Sequence, residues 1–467
     1  MNAPARINPF LAGNYAPIAT EDDFSSLPIE GSMPELRGIF FRTGPNPQFA
    51  PRDPNHHWFA GDGMVHAFRV RDGKVDYFNR YVRTPKWLAE NAAGRALFGT
   101  FGSPMTTDPE WVGKDSGVAN TNVIWHAGKL LALEEGHQPF EIDPSNLASR
   151  GYLDYAGTAK RFTAHPKIDA ETGELVFFGY MVGETPLSAG MAYGTVDRTG
   201  RVTRLDRFEA PYASMVHDFL VTRNFALFPI LPLSGDLARA MRGGPPFAWE
   251  PSRGSHIAVL KRDAGIETLR WFTTDPCYVF HPMNAWDEGD KIYAHVMQYE
   301  RAPLFPNADG STDGGRSQAR LALWTFDLRD NSNTVKITFL DDLPGEFPRL
   351  DERRAGLSYR HGYFAAITRQ GQGTTGFDAI AHVDHKTGKR VEHVFAPGDV
   401  PGEPVFVPRA ANAPEGDGYL VAVIYRGAED KSDFVVFDAS NVAEGPIATA
   451  KLPRRVPFGF HGNWMPA

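Results

Sequence analysis

Short runs of β-branched and aromatic residues, broken at close intervals by paired turn residues, constrain this chain more than any other feature. Met64-Val65-His66-Ala67-Phe68-Arg69-Val70 leads into Arg71-Asp72-Gly73 and then Lys74-Val75-Asp76-Tyr77-Phe78. Glu171-Thr172-Gly173 precedes Glu174-Leu175-Val176-Phe177-Phe178, and Glu415-Gly416-Asp417-Gly418 precedes Tyr419-Leu420-Val421-Ala422-Val423-Ile424. Glycine beside aspartate supplies the positive φ that tight hairpins need. Sustained along the chain, this rhythm predicts an all-β fold made of hairpins. Two of its segments rhyme. Ala164-His165-Pro166-Lys167-Ile168-Asp169 and Phe280-His281-Pro282-Met283-Asn284-Ala285-Trp286 are each followed by an acidic turn and a strand. A histidine at the same place in two hairpins is what a radially repeated sheet gives, so a β-propeller is favoured over a sandwich.

Length is consistent with one closed β unit, and 467 residues without a linker or low-complexity tract predict a single domain over 1–467. The net charge of −8, from 48 basic and 56 acidic residues with no basic stripe, argues against a nucleic-acid partner. A single cysteine, Cys277, excludes an internal disulfide framework and a multi-cysteine zinc site. The opening Met1-Asn2-Ala3-Pro4-Ala5-Arg6 lacks an apolar signal core, and no stretch reaches the roughly 18 apolar residues of a membrane span; a cytoplasmic protein is expected. The 33 phenylalanines suit a large core and a greasy substrate tunnel equally.

Helical spacing of apolar residues appears over 86–98 and 233–241. Both are read as insertions above the sheets and as candidate lips of a tunnel mouth that touches a membrane peripherally. Gly371-Gln372-Gly373-Thr374-Thr375-Gly376 matches the dinucleotide-binding glycine pattern literally. The next residues, Phe377-Asp378-Ala379-Ile380-Ala381-His382-Val383, read as strand, whereas a pyrophosphate site needs a helix N-terminus there. The match is therefore a hairpin loop.

Four histidines open or close strand-like runs: His165, His217 in Met215-Val216-His217-Asp218-Phe219, His281, and His461 in Gly459-Phe460-His461-Gly462-Asn463-Trp464. Their spacings are too long for one helix or loop, so only a closed fold can bring them to one axis. Four neutral imidazoles suit a divalent transition metal. Taken singly, each of the fifteen histidines in the chain is more simply a half-buried polar residue.

With Gly38-Ile39-Phe40-Phe41-Arg42-Thr43-Gly44-Pro45-Asn46-Pro47 and Gly61-Asp62-Gly63-Met64-Val65-His66, these ordered motifs resemble the carotenoid cleavage oxygenase family over nearly the whole chain. The resemblance implies a seven-bladed β-propeller under a dome of loops and helices, with Fe(II) on the axis bound by His165, His217, His281 and His461. It implies that Glu135, Glu346 and Glu403 support His217, His281 and His461 respectively. A carboxylate accepting the distal imidazole N–H would fix tautomer and orientation. It also implies that the Thr121 methyl group crowds one metal position and leaves another for dioxygen.

The activity implied is O2-dependent cleavage of a C=C bond in an apolar conjugated substrate, giving two carbonyl products. Relatives that cleave stilbenes or isoeugenol carry a tyrosine and a lysine for the substrate phenol. Phe101 and Glu134 stand at those places here, and phenylalanine has no hydroxyl while a carboxylate repels a phenolate. A carotenoid or apocarotenoid is therefore the leading substrate expectation, with stilbene or phenylpropene cleavage as the alternative. A metal-free, ligand-binding propeller is the reading from another class.

Overall fold

The computed structural model describes residues 8–53, 56–100, 102–155, 161–312, 317–369 and 376–467. Phe101 and most of the glycine-rich loop at 371–376 lie outside the described residues. The chain is nearly all β. Its antiparallel sheets follow one another in chain order, beginning with Gly38–Pro45, Gly63–Arg71 and Lys74–Tyr81. Four-stranded sheets come next over Asn122–His126 to Ser149–Tyr152, Lys167–Ile168 to Val202–Glu209, and Leu220–Val221 to Arg270–Thr274.

A seven-stranded sheet then runs from Tyr278–Glu288 to Lys389–Val394. Its long strand Lys336–Leu350 pairs with Arg320–Asp327 through its first half and with His361–Ala366 through its second. The last large sheet is built around Gly418–Arg426 and Lys431–Asp438, and takes in Ile29–Gly31 from the other end of the chain. Gly462–Pro466 returns to pair with Gly38–Pro45 in the opening sheet.

Turn chemistry explains the hairpins. Asp72 and Gly73 both have positive φ, 51° and 71°, and join two strands with no residue to spare. The strand Ala379–Asp384 comes after the glycine-rich loop, as the absence of a helix pattern there required. Inward-facing side chains of neighbouring sheets form the core, with Trp324, Tyr193, Phe178 and Phe219 fully buried.

The two helical insertions are shorter than the apolar spacing predicts. The first is Pro85–Ala93: Thr84 Oγ1 accepts from Trp87 N at 3.2 Å, and Gly94 ends the helix at φ 67°. Beyond it, Leu97 and Phe98 donate their amides to Glu90 Oε1, so the chain to Phe98 is a loop tied back to the helix. In the second, Leu233–Gly235 is a strand paired with Phe247–Trp249. The helix is only Leu237–Met241, because Asp236 caps Arg239 N at 2.8 Å and starts it there. Among the described residues no helix is long and apolar enough to cross a membrane.

Candidate metal centre

Each of the four histidines stands where a strand starts or is distorted. His165 precedes Lys167–Ile168 and is set by its backbone N–H donating to Thr163 Oγ1 at 2.9 Å. His217 precedes Leu220–Val221, and His461 immediately precedes Gly462–Pro466. His281 lies inside Tyr278–Glu288, where the ladder slips on both sides of Pro282. Proline has no N–H to give the ladder, and the resulting bulge re-aims the neighbouring side chain.

The four rings converge. Nε2 of His217 lies 3.1 Å from Nε2 of His165 and 3.1 Å from Nε2 of His281. One ligand atom from each of the four falls within 4.8 Å of all the others. Metal–imidazole bonds of about 2.1 Å at right angles put two nitrogens about 3 Å apart, so the spacing suits a shared ion. Burial and mutual repulsion hold His165 well below the usual imidazole range, and burial does the same for His281. Neutral rings are the form that ligates metal.

Three carboxylates fix the tautomers. His217 donates from Nδ1 to Glu135, His281 donates to Glu346 at 2.6 Å, and His461 donates to Glu403 at 2.9 Å. With Nδ1 protonated, Nε2 is left as the lone-pair donor toward the centre. The glutamates are themselves held: Tyr180 donates to Glu135, Phe347 N to Glu346 at 2.7 Å, and Arg349 and Gly462 N to Glu403 at 3.1 and 2.9 Å. Burial pushes Glu346 up to about 8. Burial works the same way on Glu403, but the Arg349 cation together with His461 and the Gly462 amide outweighs it and holds that carboxyl below its ordinary value. Phe347 takes a left-handed φ of 55° at a slip in the strand and lays its ring against those of His281 and His461.

His165 has a different neighbour. Its Nδ1 lies 3.8 Å from Asp218 Oδ2, beyond hydrogen-bond reach, and Asp218 is ion-paired to Lys167 at 2.8 Å. Neither Asp218 nor Lys167 stands out in the sequence, although both lie close to ligand positions.

Above the rings lies a cavity of 1170 Å³ that His217, His281 and His461 face. Phe59, Phe280, Phe347 and Phe460 supply much of its apolar wall. Val112 and Leu304 line it and are also well exposed, and so form an apolar rim.

The chain matches the family model described as retinal pigment epithelial membrane protein, RPE65, over residues 15–466. It is 40% identical to isoeugenol monooxygenase of Pseudomonas putida, with 98% of each chain covered. It belongs to the carotenoid cleavage oxygenase family. Its fold superimposes on the crystal structure of Pseudomonas brassicacearum lignostilbene dioxygenase with a TM-score of 0.95, at 35% identity over 100% of both chains. Against a Synechocystis apocarotenoid oxygenase variant the TM-score is 0.86, at 29% identity over 97% of this chain and 98% of the other. The protein is an enzyme of this family, with a four-histidine cluster able to hold a metal.

In this family setting, Thr121 lines the cavity, and its carbonyl oxygen accepts from His461 N at 3.3 Å. Glu134 lines it too, but not as a free charge. His137 Nδ1 is bonded to one of its oxygens, and the amides of Val118 and Gly136 donate to it at 3.4 and 3.2 Å. Burial opposes ionisation of Glu134, yet His137 outweighs it and holds the carboxyl low. The same pairing raises His137 against the effect of its burial. The expected repulsion of a phenolate assumes an unpaired carboxylate; here His137 engages it through one ring nitrogen and has Asp115 at 3.6 Å from the other.

Proposed function

We propose that the enzyme binds Fe(II) through His165, His217, His281 and His461 and uses O2 to cleave the C=C bond of an aryl-conjugated alkene of the stilbene or phenylpropene class. The observation that carries this is the convergence of four imidazoles, three of them tautomer-fixed by glutamates, under an aromatic cavity, in a chain alike over its full length to an isoeugenol monooxygenase. Bound there, ferrous iron supplies the electron density through which triplet dioxygen can react with an alkene. The balance is complete without a reductant: one alkene and one O2 become two carbonyl compounds.

The protein's own work is binding and exclusion. Phe59, Phe280 and Phe460 hold flat conjugated surface by stacking and apolar burial. Holding one double bond beside the metal decides which bond is cut. Glu135, Glu346 and Glu403 keep the three protons at Nδ1, so that none competes for Nε2. Thr121, on the cavity wall beside His461, would crowd one side of an ion held by the four histidines, leaving dioxygen the other. We further take the sheets, with the long Lys336–Leu350 strand shared between two of them, as seven blades around the metal axis. The exposed rim at Val112 and Leu304 supports entry of apolar substrate there, from a membrane surface or from water.

A second reading, apocarotenoid cleavage, is favoured by Phe101 and Glu134 standing where phenol-cleaving relatives have tyrosine and lysine. Incubating iron-loaded protein with a panel of stilbenes, phenylpropenes and apocarotenals, and weighing the products, separates the readings. Paired aldehydes from a stilbene or phenylpropene are the expected result. Cleavage confined to polyenals overturns the substrate assignment, and protein that holds no iron and cleaves nothing overturns the activity.

A further inference from the structure

Nearly every charge that faces the cavity is already matched. Lys86 is held by Asp62 and Glu90 at 2.6 and 2.8 Å. Glu134 is taken by His137, Glu135 by His217 and Tyr180, and Glu346 by His281. Lys114 is exposed to water. Arg161 is the exception. It is half-buried in the cavity wall, and among the described residues its guanidinium meets no carboxylate and no hydrogen-bond acceptor.

On its C-terminal side the backbone of Arg161 is fixed. Phe162 is fully buried with its ring stacked on Phe177 at 4.8 Å, and Thr163 N donates to Phe178 O at 2.8 Å. The Arg161 carbonyl packs over Gly179, where an added Cβ would stand 2.7 Å from the oxygen. Only four residues separate Arg161 from His165, so the two Cα atoms are at most about 14 Å apart. The positive charge is near enough to act on the Tyr180 hydroxyl and the His137 imidazole, which face the same space.

A partly desolvated guanidinium with no anion is costly, and among the described residues no aromatic ring is stacked against it to offset that cost. Its five N–H donors form a planar fork that fits the two oxygens of a carboxylate. We propose that Arg161 binds a carboxylate on the substrate, so that the alkene cleaved here is an aryl alkene bearing a carboxylate group. This rests on the reading that the cavity holds an aryl alkene.

The test uses trans-stilbene-4-carboxylate and its methyl ester with wild-type, Arg161→Gln and Arg161→Lys enzymes, all iron-loaded. The ratio of kcat/KM for acid over ester is expected to fall about 10- to 100-fold in Arg161→Gln and to recover in part in Arg161→Lys. The ester serves as the internal control for folding and iron loading. A second readout needs no turnover: under anaerobic conditions the Kd of the acid, followed by stilbene fluorescence, should rise by a similar factor. An unchanged ratio together with an unchanged Kd overturns the proposal, as does a wild-type enzyme that favours a 4-hydroxystilbene over the acid. If wild type cleaves neither stilbene yet binds the acid through Arg161, the proposed activity fails and the carboxylate site stands.

Discussion

At the candidate metal centre three histidines donate a hydrogen bond from Nδ1 to a glutamate, whereas in the cluster of His295, His361, His382 and His385 the rings bond or stack on each other or bond to tyrosine. His361 Nδ1 and His382 Nε2 share a bond at 2.9 Å, and His295 Nδ1 meets the Tyr359 hydroxyl at 2.8 Å. His295 also stacks on His385 at 4.0 Å between centroids. Both groups are mostly buried, and burial keeps His165 and His281 in the one and His382 and His385 in the other from charging. The difference lies in the outer partners. A carboxylate hydrogen-bonded behind three of the rings turns their free nitrogens toward a common point. In the second group no ring is hydrogen-bonded to a carboxylate among the described residues, and its nitrogens do not meet at one point. Burying histidines together does not make a metal site; orienting them does.

The contrast can be broken most sharply by removing a ring from each group. His281→Ala is expected to lose bound iron and to lower kcat at least about 100-fold, while His385→Ala keeps its iron. Metal analysis and oxygen uptake on the purified proteins check both, and full iron in His281→Ala would refute the ligand assignment. Next in size comes Glu346→Gln. It leaves an acceptor for His281 but removes the carboxyl group that can ionise behind the ring, and should cost about 10- to 100-fold in iron affinity or turnover. Asp218→Asn should cost less than about tenfold, because Asp218 stands beyond hydrogen-bond reach of His165. A loss equal to that of Glu346→Gln would mean that the contact tightens when metal binds.

The smallest effect concerns stability. Burial lowers His382 and His385 to about 4 in the folded chain, against about 6.5 when unfolded. The unfolded state therefore takes up more protons between those values. The stability these rings allow is whole above pH 6.5 and is lost as pH falls toward 4, by up to about 1.4 kcal/mol per pH unit for each ring. Thermal unfolding at pH 7, 6 and 5 should show Tm falling, and His385→Phe should flatten the slope. A pH-independent Tm would show that these rings are as easily protonated folded as unfolded.

Much of this is legible in the sequence, for definite reasons. The hairpins are, because Asp72-Gly73 and its counterparts can adopt few other conformations. The convergence of the four histidines is, because ordered motifs at strand ends leave few alternatives. Asp218 and Lys167 stand inside the histidine motifs without declaring a role, since adjacent strand residues point to opposite faces and only the register decides which faces meet. Leu233 reads as helical because a three-residue strand and a single helical turn have the same apolar spacing; the Asp236 cap separates them only in three dimensions. Arg161 gives no signal, because a missing partner is a property of space and not of sequence.

The strand Gly462–Pro466 begins immediately after His461 and zips onto Gly38–Pro45. Joining the two ends of the sheet succession and delivering the final imidazole are thus a single event in the life of the polypeptide. Peeling this one strand away would therefore unfasten the sheet succession and withdraw a ring from the cluster together, so the grip on an ion and the closure of the fold would be lost in the same motion.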